Sequence, residues 1–298
     1  MTHKLTLGFI GLGLMGRPMA GHLLKAGFPL VVHNRSQAAV KELAAQGAQE
    51  AHSPKEVAAQ VDIVFTCLPD SPDVEQVVLG KQGILEGART GLIVVDHSTI
   101  KPSTARELAE ALAAKGKQFL DAPASGGQIG AQQGTLTIMV GGDAEALERA
   151  RPALEAMGKT ITHVGGPGAG QVAKCCNQIM VAAQMTAMAE LLIFARKAGV
   201  DPRKVVQAIR GGAAQCWTLD NKPERLFAGN RQPGFKAYMQ VKDMGIVMDS
   251  ARKFGMPLPV SETNTNLFNE MIDLGFGELD NSAVVGVIEK MAGINLLE

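Results

Sequence analysis

The sequence predicts an α/β fold in which a domain with a mostly parallel sheet precedes an all-α domain. From residue 5 to about 165, short apolar runs alternate with helix-like segments, which is typical of a parallel sheet covered by helices. After about residue 166 only long helical patterns follow. We therefore expect domains at 1–166 and 167–298, joined at the stretch GGPG.

Seven apolar runs are the expected strands of the first domain. Each run ends in turn-forming or polar residues, as strands of a covered parallel sheet do. In chain order they are LTLGFI, PLVVH, DIVFTCL, GLIVVD, KQFLDAP, TLTIMVGG and TITHVG.

The second domain opens with the segment GQVAKCCNQIMVAAQMTAMAELLIFARKAG, which is apolar almost all the way round a helix. Such a helix is normally buried, and we interpret its methionines as core residues. Further helical stretches follow, with breaks predicted at GVDP (199–202), GG (211–212), QPG (232–234) and MPLP (256–259).

Composition excludes several classes of partner. The 29 Lys and Arg residues balance 29 Asp and Glu residues, so the chain lacks the basic field that nucleic acid or an anionic membrane surface requires. No secretory signal, transit peptide or transmembrane run is recognisable, and the four cysteines and six histidines show no disulfide or metal-site spacing. We expect a cytoplasmic protein that binds no metal.

The motif GLGLMG spans residues 11–16 and lies between the strand LTLGFI and a helical pattern. In that context it predicts a Rossmann-type dinucleotide-binding domain, although a glycine-rich turn without a ligand would show the same letters. Gly11 would make the tight turn, Gly13 would let a pyrophosphate approach, and Gly16 would let helix and strand pack closely. Leu14 and Met15 lie in the same cofactor-binding loop.

The second strand ends at Asn34, Arg35 and Ser36, where a site specific for NAD normally carries an acidic residue. A guanidinium beside two neutral polar side chains suits the 2′-phosphate of NADP. We therefore expect NADP(H) to be preferred and NAD(H) to be possible. The alternative is that Arg35 is only a solvated residue after a strand.

The segment DAPASGG follows the strand KQFL, at the end of the sheet where open α/β folds bind ligands. Ser125, Gly126 and Gly127 could turn several donors toward one carboxylate, and a tight structural turn explains the same residues equally well.

Lys174 lies near the start of the long apolar helix, with Asn177 one turn later. A partly desolvated lysine near a helix N-terminus loses its proton more readily and could exchange it with a substrate oxygen. From the local pattern alone, a lysine that merely extends its ammonium to solvent is the stronger interpretation.

The whole chain resembles the β-hydroxyacid dehydrogenase family, whose members include 3-hydroxyisobutyrate dehydrogenase-like enzymes. Four motifs carry the resemblance in the order and spacing of that family: FIGLGLMGRPMA, DAPASGG, GAGQVAKCCN and PGFKAYMQVKDMGI. RGGAAQCWTLD and the segment around PGF are most similar to the tartronate semialdehyde reductase branch. Ala124, where valine is usual, and the pair Cys175-Cys176 depart from the pattern and affect the fit of the pocket rather than the chemistry.

The resemblance implies roles for individual residues. Lys174 would be the catalytic proton donor. The implied substrate-binding residues are Ser125, Gly126, Gly127, Asn177, Phe235 and Asp243, and the expected cofactor-binding residues beyond those already named are Leu68, Pro69, Thr99 and Lys242.

The expected reaction is hydride transfer between NADP(H) and a short carboxylate-bearing semialdehyde, with tartronate semialdehyde and its product glycerate as the leading pair. A 3-hydroxyisobutyrate dehydrogenase, a glyoxylate or succinic semialdehyde reductase and a catalytically silent dinucleotide-binding module are the alternatives. A 6-phosphogluconate dehydrogenase would need a much longer helical domain, so chain length counts against that relative. The resemblance also implies a homo-dimer or homo-tetramer.

Overall fold

The computed structural model describes residues 5–297, which form two compact units, one ending at Lys174 and the next starting at Cys175. The predictions made for residues 1–4 and 298 lie outside this range. The last strand of the first unit ends at Gly165, and the helix that carries Lys174 begins at Ala169. The predicted domain boundary between residues 166 and 167 stays a prediction.

Strands and helices alternate through the first unit, and helices make up nearly all of the regular structure of the second. The strands are β1 (Leu7–Ile10), β2 (Leu30–His33), β3 (Gln49–Glu50), β4 (Ile63–Thr66), β5 (Ile93–Asp96), β6 (Gln118–Asp121), β7 (Ala124–Ser125), β8 (Leu136–Gly141) and β9 (Gly158–Gly165). The helices are α1 (Gly16–Lys25), α2 (Gln37–Ala44), α3 (Pro54–Ala58), α4 (Ser71–Leu79), α5 (Ile84–Gly87), α6 (Pro102–Ala113), α7 (Gly127–Gln133), α8 (Ala144–Glu155), α9 (Ala169–Lys197), α10 (Pro202–Ile209), α11 (Trp217–Asn221), α12 (Pro223–Phe227), α13 (Ala237–Phe254), α14 (Pro259–Asp273) and α15 (Val285–Ala292).

The first unit is built on one sheet with the strand order β3-β2-β1-β4-β5-β6-β8-β7, and β9 pairs with β8. The strands from β3 to β6 are parallel, whereas β8 runs antiparallel to β6 and β7. This arrangement confirms the predicted mostly parallel sheet. The sequence did not predict β3 and β7, because two-residue strands are too short to show a periodic pattern.

Helices cover the sheet on both faces, and the strand residues alternate between the two. Phe9 and Phe65 pack into the cluster that also contains Leu23 of α1, while Val31 and Val64 pack into a separate cluster with residues of α3, α4 and α6. The strands are therefore apolar on both faces, which explains why they appear in the sequence as continuous apolar runs.

The second unit confirms the predicted all-α architecture. Within residues 175–297 the regular structure consists of helices, a 3₁₀ turn at Asn281–Val284 and one antiparallel bridge between Lys236 and Asp280. The four predicted breaks lie between α9 and α10, α10 and α11, α12 and α13, and α13 and α14. The boundary between α11 and α12 and the end of α14 at Asp273 were not predicted. Four methionines lie in its core, as predicted for this region: Met185, Met188, Met244 and Met271. The prediction is wrong for Met180 on α9 and for Met256 and Met291, which are exposed.

Within the described residues, α9 is the one helix long and apolar enough to span a membrane by length and composition. Half of its most apolar window is buried inside the structure. Met185, Met188 and Leu192 on this helix belong to the core of the second unit. A buried core helix meets the same criteria, so the finding is weak evidence for a membrane span.

A buried ion pair connects separate parts of the second unit. Lys222 Nζ donates to Asp280 Oδ1 over 2.7 Å, and both side chains are almost completely buried. The other carboxylate oxygen, Oδ2, accepts hydrogen bonds from the backbone N–H groups of Gly234 and Phe235. Burial raises the pKa of the Asp280 carboxyl, but the Lys222 ammonium and the hydrogen-bond donors outweigh it and hold the pKa below its usual value.

We expect Lys222→Met to lower the free energy of unfolding by about 3–5 kcal/mol, because it leaves a buried carboxylate without its counterion. Lys55→Met removes an exposed ion pair with Glu86 and should cost about 1 kcal/mol or less. Urea denaturation of both variants measures the difference. Equal losses would contradict the structural importance of the buried pair.

Candidate active site

The glycine motif forms the turn between β1 and α1. Gly11 has φ +96°, and a Cβ there would collide with the Cys67 carbonyl oxygen. A Cβ on Gly16 would collide with the Gly11 carbonyl oxygen, whereas a Cβ on Gly13 would meet nothing within 4 Å. Two glycines are therefore required by the fold itself. Gly13 faces open space, and this fits a loop that a pyrophosphate approaches.

Asn34 connects this turn to the end of β2. Its Oδ1 accepts a hydrogen bond from Leu12 N at 3.0 Å, and its Nδ2 donates to the side chain of Ser36 at 2.8 Å. Asn34 is therefore a residue that holds the loop in place. The neighbouring Arg35 is exposed, so its guanidinium is accessible to a ligand at this edge of the sheet.

The predicted cofactor residues of the first unit differ in exposure. They follow the carboxyl ends of β1, β2, β4 and β5, which lie at one edge of the sheet because these strands are parallel. Leu14, Arg35, Ser36 and Pro69 are exposed, and Met15, Asn34, Leu68 and Thr99 are partly buried.

A buried carboxylate organises the loops after β4 and β5. Asp96 Oδ1 accepts hydrogen bonds from the hydroxyls of Thr66 and Ser98, at 2.7 and 2.6 Å. The Ser98 hydroxyl in turn accepts a hydrogen bond from Leu68 N at 2.8 Å. Burial raises the pKa of Asp96 to about 6, although the hydrogen bonds from Ser98 and Thr66 oppose that rise. Asp96 thus fixes two loops that the sequence assigns to the cofactor.

His97, the next residue, is a buried neutral imidazole. Its Nδ1 lies 2.7 Å from the Ala122 carbonyl oxygen, and its ring stacks on Phe65 at a centroid distance of 5.7 Å. Burial lowers its pKa to about 4, against the opposing effect of the Ala122 carbonyl. His97 is therefore a packing residue that also joins β5 to the end of β6.

A second buried carboxylate holds the first turn of α9. Asp121 Oδ1 accepts from Gly168 N and its Oδ2 accepts from Gln171 N, both at 2.8 Å. These amides belong to the N-terminal end of the helix, where a negative charge is favourable. Burial raises the pKa of Asp121 to about 6, with the backbone hydrogen bonds opposing the rise. The side chain of Gln171 binds the loop after β5 through Ser98 O and Ile100 N.

Lys174 lies one helical turn beyond these contacts and is buried. Its Nζ donates to the carbonyl oxygen of Ala124 over 2.8 Å. The structure thus brings Lys174 to the backbone immediately before Ser125, fifty residues away in the sequence. Gly126 and Gly127 have φ values of +130° and +60°, so the turn after Ser125 needs glycine at both positions.

In the second unit, the predicted site residues Asn177, Asp243 and Lys242 are connected by polar contacts. Gln178, which the sequence did not suggest, provides the link between Asn177 and Asp243. Gln178 Nε2 donates to Asp243 Oδ2 at 2.6 Å, and Asn177 Nδ2 donates to Gln178 Oε1 at 2.7 Å. Lys242 Nζ lies 2.8 Å from Asp243 Oδ1. Phe235 is partly buried, and its backbone is held by Asp280 and Asn281.

Sequence reasoning gave no role to Asp96, Asp121, Gln171 or Gln178. Asp96 and Asp121 each end a buried strand, and an acidic residue in that position was an available signal. Gln171 and Gln178 carried none, because a glutamine on an apolar helix reveals no partner. Among residues 5–297, no cluster of three His, Cys, Asp or Glu side chains could hold a metal ion.

Two family models together match nearly the whole chain. Residues 6–165 match the NAD binding domain of 6-phosphogluconate dehydrogenase, and residues 168–288 match the NAD-binding domain of NADP-dependent 3-hydroxyisobutyrate dehydrogenase. The chain belongs to the 3-hydroxyisobutyrate dehydrogenase family. Membership confirms the predicted resemblance.

Individual relatives of this family agree on the reaction type and differ in substrate. The chain is 43% identical over 290 residues to 2-hydroxy-3-oxopropionate reductase of Escherichia coli (strain K12), covering 97% of this chain and 99% of the relative. It is 39% identical to an NAD-dependent L-serine dehydrogenase of Pseudomonas aeruginosa, covering 96% and 99%. A crystal structure of 3-hydroxyisobutyrate dehydrogenase from Salmonella typhimurium matches with a TM-score of 0.87 and 32% identity, covering 95% and 99%.

The protein is therefore an NAD(P)-dependent oxidoreductase that acts on a CH–OH group, as predicted. Its 3-hydroxyisobutyrate dehydrogenase fold is shared over both units, while the differing substrates of its relatives leave the substrate to be inferred.

We expect Gly13→Ala and Gly16→Ala to separate cofactor binding from folding. Gly13→Ala places a methyl group in open space and should weaken NAD(P)H binding by about tenfold or more with little change in melting temperature. Gly16→Ala should cost more than about 2 kcal/mol of stability, because its Cβ meets backbone. Fluorescence titration and thermal melting distinguish the two, and a destabilised Gly13→Ala variant would contradict this division.

His97 gives the stability of the protein a defined pH dependence. The folded pKa of about 4 lies below the unfolded value of 6.5, so below pH 6.5 the unfolded chain binds a proton that the folded chain does not. The stability of the wild type relative to His97→Gln should fall by up to about 3 kcal/mol between pH 7 and pH 4. Urea denaturation across this range measures it, and a difference independent of pH would contradict the buried neutral state.

Proposed function

We propose that this protein reduces tartronate semialdehyde to glycerate with NADPH, and that Lys174 is the acid/base. The observation that carries the proposal is the contact between the Lys174 ammonium and the Ala124 carbonyl oxygen, which adjoins the Ser125-Gly126-Gly127 turn. A proton donor and a candidate carboxylate-binding turn are thereby adjacent. The 43% identity to a 2-hydroxy-3-oxopropionate reductase supports this particular semialdehyde.

The proposed chemistry requires one hydride and one proton. The nicotinamide, when bound, supplies the hydride to the aldehyde carbon. As the carbonyl bond is reduced, Lys174 Nζ gives a proton to the oxygen, so that the product is a primary alcohol and the lysine is left as a neutral amine that regains a proton from water.

The proposal also assigns residues that would orient the substrate. The Ser125 hydroxyl and the amides of Gly126 and Gly127 would hold the substrate carboxylate, since the positive φ values let consecutive N–H groups point to one anion. Asn177, three residues after Lys174 on α9, would bind a second polar group of the substrate. Phe235 would close the pocket, and Lys242 and Thr99 would contact the cofactor.

We propose NADP(H) as the preferred cofactor, with NAD(H) accepted. The exposed Arg35 next to the anchored Asn34 supports a 2′-phosphate site. As the resemblance to the family implies, we also propose a homo-oligomer, dimeric or tetrameric, in the cytoplasm.

The test of this function is a panel of initial rates with purified protein. NADPH and NADH oxidation would be followed with tartronate, methylmalonate and succinic semialdehydes and with glyoxylate, and L-serine would be tested in the oxidative direction. We expect the highest kcat/KM with tartronate semialdehyde and NADPH. A higher value for another substrate would overturn the substrate, and equal or better efficiency with NADH would overturn the cofactor preference.

Lys174→Met should lower kcat by about 10²–10⁴-fold, because general acid catalysis contributes on that scale. NADPH affinity, measured by fluorescence titration, should change little. Lys41→Met, on the exposed face of α2, is the matched control and should retain full turnover. Full turnover by Lys174→Met would contradict the catalytic role.

Arg35→Ala should lower kcat/KM for NADPH by about tenfold or more and leave the value for NADH unchanged, because a hydrogen-bonded charge contributes about 1.5–3 kcal/mol. Steady-state kinetics with both cofactors provides the measurement. A parallel loss with NADH would assign Arg35 to the loop structure instead of the 2′-phosphate.

A further inference from the structure

A chain of polar contacts in the second unit joins the candidate substrate residue Asn177 to Lys242. Asn177 Nδ2 donates to Gln178 Oε1, Gln178 Nε2 donates to Asp243 Oδ2, and Lys242 Nζ forms an ion pair with Asp243 Oδ1. Gln178 and Asp243 are 3% and 2% exposed, so water does not compete for these bonds.

The carboxylate of Asp243 determines which group donates and which accepts in each of these hydrogen bonds. An ionised carboxylate only accepts hydrogen bonds, so Gln178 must turn its NH₂ group toward Asp243. The Gln178 carbonyl oxygen then faces Asn177 and can only accept, so Asn177 must present its own NH₂ group. The carboxamide of Asn177 therefore has one permitted orientation, with its oxygen directed away from Gln178.

We propose that Gln178 and Asp243 are positioning residues that set the orientation of the Asn177 carboxamide for substrate binding. This inference rests on the proposed function, because it takes Asn177 as a substrate ligand. Asp243 then acts through Gln178 and Lys242 instead of contacting the substrate. Its burial, the hydrogen bond that Oδ2 accepts from Gln178 and the ion pair that Oδ1 forms with Lys242 support that assignment.

Exchanging donors and acceptors along these hydrogen bonds tests the proposal. In Asp243→Asn, the amide oxygen is drawn to the Lys242 ammonium, so the NH₂ group faces Gln178. Gln178 must then turn over and present its NH₂ group to Asn177, which reverses the Asn177 carboxamide. We expect the KM for tartronate semialdehyde to rise by about tenfold or more, since a substrate donor or acceptor is left unpaired.

Adding Gln178→Glu to Asp243→Asn should restore the original orientation. A carboxylate at position 178 accepts from both the amide at position 243 and Asn177 Nδ2, and the total charge of the group equals that of the wild type. The double variant is therefore expected to recover most of the lost substrate affinity. Gln178→Glu alone places two carboxylates face to face and should raise KM like Asp243→Asn.

The measurements are kcat and KM for the substrate, NADPH affinity by fluorescence, and melting temperature, for the wild type and all three variants. Gln184→Glu, on the same helix, is the matched control, because a carboxylate there still accepts from Thr218 Oγ1. We expect its KM to equal that of the wild type. Melting temperatures identify any variant whose loss arises from unfolding.

The result that overturns the inference is a double variant whose substrate KM is no lower than that of Asp243→Asn, since direct contact between Asp243 and the substrate would give that outcome. A wild type that reduces no semialdehyde would overturn the proposed function, and this inference with it. An active wild type without recovery in the double variant would overturn the inference alone.

Discussion

The carboxylate of Asp121 is the contact on which the arrangement of the first unit depends. It ends β6 and accepts the N–H groups of Gly168 and Gln171, so the start of a 29-residue helix is fixed to the carboxyl edge of the sheet. A Cβ on Gly170 would collide with carbonyl oxygens of Asp121 and Met139, which explains why glycine is needed at this close approach. Because the helix start is fixed there, Lys174 Nζ can donate its hydrogen bond to the Ala124 carbonyl oxygen.

Buried carboxylates fix their surroundings in the same way elsewhere, at Asp96 and Asp280 as well as at Asp243. In each, a buried carboxylate that only accepts hydrogen bonds determines the direction of the donors around it. Asp96 fixes the loops after β4 and β5, and Asp121 fixes the helix start. In the second unit, Asp280 holds the backbone at Phe235. Burying these charges is unfavourable, as the raised pKa values of Asp96 and Asp121 indicate, and the hydrogen bonds offset part of that cost.

Much of the fold could be predicted from the sequence because its signals are local. Continuous apolar runs such as IVFT and IVVD identify strands buried on both faces, and glycine and proline breaks identify helix ends in the second unit. The short strands β3 and β7 and the reversed direction of β8 could not be predicted, because strand pairing is set by contacts between distant segments.

The candidate site was predicted residue by residue, but its supporting contacts were not. Glycine motifs and a lysine within a family motif can be recognised in the sequence. The hydrogen bond from Lys174 to Ala124 cannot, because it joins residues fifty positions apart. Asn34 was expected to contact the cofactor, and the structure adds a role in holding Leu12. Such contacts require three-dimensional proximity, which the spacing of residues alone does not reveal.

The most direct test of this account is the turnover of Asp121→Asn. An asparagine can accept from one of the two amides, but its NH₂ group then opposes the other, so the first turn of α9 loses an anchor. We expect kcat for semialdehyde reduction to fall by about tenfold or more while NADPH affinity changes by less than about threefold, because the proton donor is displaced and the glycine loop is not. Unchanged kcat in a folded variant would contradict the claim that Asp121 positions Lys174.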